Sequence, residues 1–329
     1  MKLVTIIIPA MNEGEVIGNV VNNVRDAIQT QLFAFEIIVV DDGSSDQTGD
    51  RALQAGARVI RHHYNLGNGA AIKTGIRNAK GDVIVMMDGD GQHDPNDIPR
   101  LLEHIDQNGM VVGARTKDSQ STWYRGVANA VYNSLASYIC SYKIPDLTSG
   151  LRAIRTDLAR RFLYLLPNTF SYPTTLTMAV FRAGHCVSYV PIQAAPRVGK
   201  SKIRLLRDGV RFLLIIFKIA TLYSPLKIFV PASIFVALLG FIWYVITVLL
   251  VGPKLPPATT ILMISSVLMF FMGLISEQIS QVHYAFSENG QEETSATEEL
   301  TLMAQQQINN EEVSVGIEQQ LVLKNDDRS

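Results

Sequence analysis

Hydrophobic positions in the first two hundred residues follow two alternating periods. Short apolar runs of strand length occur at residues 3–8, 36–40, 57–60, 83–87 and 110–112. Between the first two runs, apolar residues recur at helical spacing at Ile17, Val20, Val21, Val24 and Ile28. Strands that alternate with helices form a mainly parallel sheet covered by helices, and ligands bind at the carboxyl ends of its strands. The pattern predicts a Rossmann-like α/β domain over residues 1–200.

Two later segments are uniformly apolar rather than periodic. Residues 228–251 and 259–276 contain no charged residue. At ~1.5 Å per residue they reach ~36 and ~27 Å, against a hydrocarbon core of ~30 Å. We therefore predict a transmembrane region over residues 228–280, with helices at 228–251 and 259–279. A buried core helix is the alternative for each segment.

The segments on either side of this region differ in charge. Between residues 201 and 227, Leu205, Leu206, Val210, Leu213, Leu214 and Phe217 recur at helical spacing among basic residues. This pattern predicts amphipathic helices in the membrane interface, with an ordinary packing helix as the alternative. From residue 287 onward, ten acidic residues stand against two basic ones, so residues 281–329 are predicted to be an acidic, disordered tail.

The charge distribution also predicts an orientation. Seven Lys or Arg residues lie between residues 200 and 227, whereas the connection between the spans carries only Lys254. Because basic residues favour the cytoplasmic side, the catalytic domain and the tail of this integral membrane protein are expected in the cytoplasm. The start, Met1-Lys2 followed by a strand, shows no export signal. Cys140 and Cys186 are expected to be reduced, buried thiols.

The first two strands end in polar residues that are unusual at such positions. The first ends in Pro9-Ala-Met-Asn12-Glu13, where a helix cap is the alternative to a ligand contact. The second ends in Asp41-Asp42. Adjacent carboxylates repel one another, so hydrogen bonding to a ligand is favoured over a simple turn.

The fourth strand is the most informative, because it continues directly into Asp88-Gly-Asp90-Gly-Gln92-His-Asp-Pro. The glycines let the segment bend, and its oxygen-rich side chains suit a hard divalent cation bound to phosphate. Position twelve of an EF-hand loop starting at Asp88 would be Pro99 rather than glutamate, which argues against that motif. A plain acidic turn is the alternative.

A glycine-rich stretch, Gly67-Asn-Gly69-Ala-Ala-Ile72, begins like a dinucleotide fingerprint but has Ile72 in place of the third glycine. We interpret it as a loop that brings Asn65, Gly69 and Lys73 towards a nucleotide. A structural glycine turn is an equal alternative.

Together these motifs resemble the family-2 glycosyltransferases of GT-A fold, over roughly the first 200 residues. Within that family, later elements resemble the dolichyl-phosphate mannose synthases and the bacterial polyisoprenyl-phosphate glycosyltransferases with two C-terminal spans. Those elements are Gly113-Ala-Arg115, Arg125-x-x-x-Asn129, Asp146-Leu-Thr-Ser149-Gly150-Leu-Arg152 and Arg197-x-Gly199-x-Ser201-Lys202. Leu151 replaces the phenylalanine that the family often shows, and some members carry serine where Asn129 stands.

The resemblance implies roles for individual residues. Nucleotide contacts would come from Pro9, Asn12, Glu13, one of Asp41 and Asp42, Gly69, Lys73 and Asp88. The metal, Mg²⁺ or Mn²⁺, would be held by Asp88, Asp90 and Gln92. The acceptor phosphate would meet Arg115, Arg125, Asn129, Arg197, Ser201 and Lys202. Catalysis would rest on Asp90, Arg115, Arg125 and Asp146, the last as a base or a sugar contact.

The implied reaction is inverting transfer of a hexose from a nucleotide sugar, of the UDP-glucose or GDP-mannose type, to undecaprenyl or dolichyl phosphate. No nucleic acid partner is expected, and a homo-oligomer is compatible with the two-span anchor. The alternatives are a glycosyltransferase acting on a non-phosphate lipid, a membrane polysaccharide synthase and a non-catalytic relative. The synthases carry Gln-x-x-Arg-Trp, and neither Trp123 nor Trp243 stands in such a setting.

Overall fold

The structure is a computed structural model. It describes residues 3–29, 33–116, 123–169, 171–193 and 224–282, together with the single positions 214, 217 and 221. Side chains of residues 123–129 are outside this description. The chain divides into two compact units: Met1–Tyr223, named the catalytic unit after its predicted role, and Ser224–Ser329, named the hairpin unit.

In the described part of the catalytic unit, seven strands form one sheet in the order β3-β2-β1-β4-β6-β5-β7. The strands are β1 (Leu3–Ala10), β2 (Ala34–Asp41), β3 (Arg58–Arg61), β4 (Val83–Met86), β5 (Met110–Arg115), β6 (Arg152–Arg155) and β7 (Val187–Ile192). Neighbours pair in parallel except at β6, which is antiparallel to both β4 and β5. The predicted mainly parallel sheet is confirmed.

Seven α-helices of the described chain accompany this sheet. They are α1 (Ile17–Ile28), α2 (Thr48–Gln54), α3 (Asn68–Asn78), α4 (Asp97–Leu102), α5 (Trp123–Cys140), α6 (Thr156–Arg161) and α7 (Tyr172–Arg182). The central strands are buried on both faces, which explains their continuous runs of Val and Ile. Successive residues of β2 point to opposite faces: Ile37 and Val39 join one apolar cluster, and Ile38 and Val40 join another.

Helix α1 shows how the periodic pattern becomes structure. Its buried residues are the five predicted from spacing, Ile17, Val20, Val21, Val24 and Ile28. They pack in the same apolar cluster as alternate residues of β1 and β2. Burial of this stripe, at about 25 cal/mol per Å² of apolar surface, holds the helix on the sheet.

The hairpin unit contains two helices, Leu226–Val251 and Pro257–Val282, each long and apolar enough to cross a membrane. They pack through small residues: Ser266 Oγ donates to the Ser233 carbonyl at 2.9 Å, and Gly240 lies against Leu262. Large apolar side chains point outward, and Leu249 is 79% exposed. This is a membrane protein with two apolar C-terminal helices.

Some predicted features fall in parts of the chain that the structure does not describe, and one differs from the structure. Most of the interface segment 201–227 and nearly all of the tail 281–329 lie outside the described residues, so the predicted domain boundaries stay predictions. One prediction was wrong: Cys140 is buried, but Cys186 is exposed, because it lies in the turn between α7 and β7.

Candidate functional site

The ends of β1, β2 and β4 lie at one edge of the sheet, because β1 pairs in parallel with both of the others. The motifs that follow these strands are therefore neighbours. Strand β6 runs the opposite way, with Arg152 paired to Met86 near the end of β4. The segment Asp146–Arg152 thus enters the same edge.

The turn after β1 is tied to the loop after β2. The Asn12 backbone N–H donates to Ser44 Oγ at 3.0 Å, and Asn12 Oδ1 accepts the Ser45 backbone N–H at 2.8 Å. Asn12 has a φ of 53°, a conformation that asparagine tolerates better than most residues. The residue before α1 is Val16, which gives no side-chain cap. Asn12 therefore holds two loops together instead of capping the helix.

The two adjacent aspartates at the end of β2 are buried and have different partners. Asp41 Oδ1 accepts the Ser44 backbone N–H at 3.0 Å, which closes the turn. Asp42 accepts the backbone N–H groups of Leu66 and Gly67 at 3.0 and 2.8 Å. Both carboxylates thus shape the rim of the predicted nucleotide pocket, and their contact with a nucleotide stays a prediction.

The glycine-rich loop packs against the segment Pro167–Thr169 of the same unit. A Cβ on Gly69 would lie 2.7 Å from the Thr169 carbonyl oxygen and nearer still to that of Pro167. The Ala70 backbone N–H donates to the Asn168 carbonyl at 3.2 Å. Packing against this segment gives Gly69 a structural reason to be glycine, and its nucleotide contact stays a prediction. Lys73 follows in α3, where burial and the charge of Arg77 lower its pKa.

The Asp88 carboxylate lies at the centre of the site, with 35% of its side chain exposed. His93 Nε2 is 3.6 Å from Asp88 Oδ2. Burial opposes ionisation of Asp88, but His93 and the guanidinium groups of Arg115 and Arg152 together hold its pKa below the usual value. The carboxylate is therefore ionised and partly accessible, as a metal ligand must be.

The rest of the Asp88 loop is bent at Gly91, which has a φ of 74°. Within this bend, the Gln92 backbone N–H donates to Asp90 Oδ1 at 3.2 Å. Among the described residues, no group of three or more His, Cys, Asp and Glu side chains is placed to hold a metal ion. Asp88 and Asp90 supply two carboxylates, so a cation here would need further oxygen ligands from a substrate or water.

Arg115 and Asp146 form a paired unit, and the charge of Arg115 also acts on Asp88. Arg115 Nε donates to Asp146 Oδ2 at 2.8 Å and Nη2 to Oδ1 at 3.0 Å. Nη2 also donates to Thr148 Oγ1 at 2.7 Å. Burial opposes the charge on Asp146, yet Arg115 and two backbone N–H groups lower its pKa. Asp146 is thus an ionised anchor for Arg115 and is poorly suited to accept a proton.

The structure does not place the remaining predicted acceptor residues in the site. Arg125 and Asn129 lie on α5, but their side chains are among those not described. Arg197, Ser201 and Lys202 lie outside the described residues. Pro9 is buried within β1, opposite Val40.

Comparison with known proteins identifies the unit that carries this site. Residues 5–163 match the family described as Glycosyl transferase family 2. The chain contains a glycosyltransferase family 2 domain. This confirms the resemblance drawn from the motifs. Residues 224–282 match a second family, the GtrB C-terminal hairpin, which spans both apolar helices.

One curated relative is similar to this chain along most of its length. The undecaprenyl-phosphate 4-deoxy-4-formamido-L-arabinose transferase of Edwardsiella ictaluri is 28% identical over 302 residues, covering 86% of this chain and 90% of the relative. The similarity extends beyond the family 2 domain.

Solved structures share the fold. Glucosyl-3-phosphoglycerate synthase from Mycobacterium tuberculosis, in complex with phosphoglyceric acid, has a TM-score of 0.56 at 20% identity, covering 67% of this chain and 80% of that one. Its complex with Mn²⁺, uridine diphosphate and phosphoglyceric acid gives the same TM-score and identity, with 67% and 78% covered. At this identity the likeness shows the GT-A fold alone.

Two residues of the family 2 domain were missed as site residues. His62 Nδ1 lies 2.7 Å from Asp42 Oδ1, and its Nε2 lies 2.9 Å from Thr74 Oγ1. Arg152 is fully buried, and the ring of Tyr172 lies 6.0 Å from its guanidinium carbon. The signal for Arg152 was its place in the Asp146–Arg152 element, whereas nothing near His62 in sequence indicates its partners.

Proposed function

We propose that this protein transfers a hexose from a nucleotide sugar to a polyisoprenyl phosphate, with inversion at the anomeric carbon. The observation that carries the proposal is the extent of similarity to an undecaprenyl-phosphate sugar transferase, which covers 86% of the chain. A match of that length includes most of the family 2 domain and nearly all of the hairpin. A water-soluble acceptor would leave the hairpin without a role in substrate delivery.

The donor would bind where β1, β2 and β4 end. Pro9, Asn12, Glu13, Asp41, Asp42, Gly69, Lys73 and Asp88 are the proposed nucleotide contacts. Support comes from the shared fold of the mycobacterial synthase, whose structure holds uridine diphosphate with Mn²⁺. The base and the sugar are not fixed by this support, so both UDP- and GDP-sugars are candidates.

The Asp88 loop offers oxygen ligands that suit a divalent cation, Mn²⁺ or Mg²⁺, which also binds a substrate phosphate. Asp88 is ionised and partly exposed, and Asp90 and Gln92 add oxygen donors within the same bend. Two carboxylates and an amide are few ligands, as is usual for cations that also take phosphate oxygens and water. Such a cation, when bound, supplies Lewis acidity that stabilises the departing nucleoside diphosphate.

The acceptor phosphate would meet Arg115, fixed by Asp146. Nε and Nη2 of Arg115 are bonded to Asp146 and Thr148, and these bonds do not use its Nη1 group. An oriented guanidinium of this kind binds a phosphate through charge-assisted hydrogen bonds. We propose that Arg125, Asn129, Arg197, Ser201 and Lys202 complete the phosphate site.

The chemistry needs no general base from the protein. A phosphate monoester is already largely anionic near neutral pH, so its oxygen attacks the anomeric carbon without prior deprotonation. Asp146 accordingly orients Arg115, and its lowered pKa keeps it charged throughout. Attack in line with the leaving diphosphate inverts the anomeric centre and yields a lipid-linked phosphosugar.

The test is transfer of radiolabelled sugar from a panel of UDP- and GDP-sugars to undecaprenyl and dolichyl phosphate in membranes that contain the protein. One donor should give a chloroform-soluble, acid-labile product that requires added Mn²⁺ or Mg²⁺. Asp90→Asn should lower the rate at least about 100-fold, because a metal ligand is lost. The exposed α1 variant Asp26→Asn is the matched control and should keep the wild-type rate.

Other products would redirect the assignment. A labelled neutral lipid would indicate a non-phosphate acceptor, and a labelled polymer would indicate a polysaccharide synthase. If no donor yields a lipid-linked phosphosugar in the presence of both acceptors, the proposed acceptor is wrong.

We propose further that the catalytic unit lies in the cytoplasm, on the support of the basic segment before the first span. Cys186 makes this testable, since it is exposed in the catalytic unit while Cys140 is buried. A membrane-impermeant maleimide should label inside-out vesicles and leave intact cells unlabelled, with Cys186→Ser as the control. Labelling of intact cells would reverse the orientation.

A further inference from the structure

The Asp88 carboxylate lies directly against the backbone of Gly150. A Cβ added at Gly150 would lie 2.7 Å from Asp88 Cγ and 3.0 Å from Oδ1, with Oδ2 nearer still. These three atoms are the nearest neighbours of that position. Gly150 is not among the glycines with positive φ, so alanine could adopt its backbone conformation. The need for glycine therefore comes from the space that Asp88 occupies.

The backbone around Gly150 is fixed on both sides. The Ser149 carbonyl accepts a hydrogen bond from Arg152 Nη2, and the Leu151 carbonyl accepts one from the Gly113 N–H at 2.9 Å. Arg152 itself is fully buried, and its Nη1 donates to the Pro173 carbonyl at 2.9 Å and to Thr177 Oγ1 at 3.1 Å in α7. Gly150 therefore lies in a backbone segment that hydrogen bonds hold on both sides.

An aspartate side chain has three staggered χ1 positions, and an unconfined carboxylate would exchange among them. The Gly150 backbone lies against the Asp88 carboxylate, and His93 Nε2 lies 3.6 Å from Oδ2. These two contacts confine the carboxylate. Groups that orient a metal ligand in this way commonly set the affinity for the metal.

We propose that Gly150 is a positioning residue, whose absent side chain and fixed backbone hold the Asp88 carboxylate in the orientation that binds a divalent cation with the nucleoside diphosphate. This inference rests on the proposed function, because it takes Asp88 as a metal ligand. Arg152 acts behind Gly150 by fixing the Ser149 carbonyl.

The first test measures Mn²⁺ binding by electron paramagnetic resonance, with the full-length protein in detergent and with UDP or GDP present. Gly150→Ala should bind Mn²⁺ roughly 10–100-fold more weakly than the wild type. Gly109→Ala is the matched control: its new Cβ would meet Leu158 Cδ2 at 2.9 Å, an apolar contact away from the site. It should keep wild-type affinity, and wild-type affinity in Gly150→Ala would overturn the proposal.

The second test needs no metal. In a protein that keeps Asp88, Gly150→Ala should lower the thermal unfolding midpoint by roughly 3–10 °C, because the added methyl group overpacks the site. In an Asp88→Ala background the opposing carboxylate is gone, so the same substitution should have almost no effect. Equal losses in both backgrounds would show that Gly150 does not act on Asp88. If instead the wild type fails to bind Mn²⁺ in the presence of UDP and also in the presence of GDP, the proposed function fails. The comparison of thermal midpoints in the two backgrounds still tests the contact between Gly150 and Asp88.

Discussion

The catalytic unit and the hairpin unit bury opposite kinds of residue. The sheet of the catalytic unit encloses Val and Ile, together with a few charged groups such as Asp146 and Arg152. The hairpin encloses Thr259, Ser266 and Gly273, spaced seven residues apart, and exposes its Phe, Leu and Ile side chains. Large apolar side chains are thus buried in the catalytic unit and exposed on the hairpin unit.

The inversion shows that the two units fold against different solvents. In water, removal of apolar surface drives folding, so a core of branched aliphatic residues stabilises the catalytic unit. In lipid that driving force is absent between helices, and close contact through small residues takes its place. A seven-residue period of small residues also matches the geometry of a left-handed helix pair.

The largest effect should come from the buried ion pair of the catalytic unit. Asp146→Ala leaves Arg115 partly buried without its partner and should lower the unfolding free energy by about 3–5 kcal/mol. Asp157→Ala, which breaks the exposed Arg155 pair, should cost about 0–1 kcal/mol. Denaturant titration of the protein in detergent gives both values, and equal losses would contradict the assigned burial.

The next effect compares the same deletion in the two units. Ile38→Ala removes a fully buried side chain and should cost about 2–5 kcal/mol, because a cavity remains. Ile261→Ala removes one that is 63% exposed on the hairpin and should change the stability of that unit little in detergent or lipid. A large loss for Ile261→Ala, measured by detergent-induced unfolding, would mean that another protein surface covers this face.

Acid should affect the catalytic unit through Asp146. The pKa of Asp146 is lowered in the folded state, so the unfolded state binds the proton more readily. The stability of the protein therefore decreases as the pH decreases. The contribution is complete above the unfolded pKa of about 4 and is lost as pH drops through the lower folded value. Thermal midpoints below pH 4 should fall less steeply for Asp146→Asn than for the wild type, and parallel slopes would exclude this linkage.

The smallest effect should come from the hydrogen bond inside the hairpin. Ser266→Ala removes the bond to the Ser233 carbonyl and should cost about 0.6 kcal/mol, the average for such bonds in membranes. Thr247→Ala, which removes a hydrogen bond within one helix, is the control for side-chain deletion. Detergent titration of the helix pair compares them, and indistinguishable variants would show that the interhelical bond adds nothing.

Much of the fold could be predicted, because buried parallel strands and amphipathic helices leave clear apolar patterns. The first five strands were expected near their observed positions, and each of the two apolar helices begins within two residues of its predicted start. Strands β6 and β7 were not predicted. The first has only four residues with arginine at both ends, and the second contains Pro191, which a strand tolerates at the edge of a sheet.

The site was predictable in its residue types but less so in its contacts. Asp88 and Asp146 were identified from their local motifs, yet Gly150, which lies against Asp88, and Arg115, which binds Asp146, come from distant parts of the chain. Gly69 illustrates the difficulty, since the carbonyl groups that crowd it lie almost one hundred residues further on. Local pattern cannot distinguish a glycine that admits a ligand from one that admits another loop.

The reversed direction of β6 has a consequence for how such enzymes diversify. The chain leaves the sheet after Arg115 at the end of β5 and enters β6 at Arg152, at the same edge of the sheet. A segment with this path can lengthen, shorten or be exchanged without changing the register of any strand. Its last residues include Asp146, which binds Arg115, and Gly150, which lies against Asp88, so one continuous stretch of the gene reaches two parts of the site.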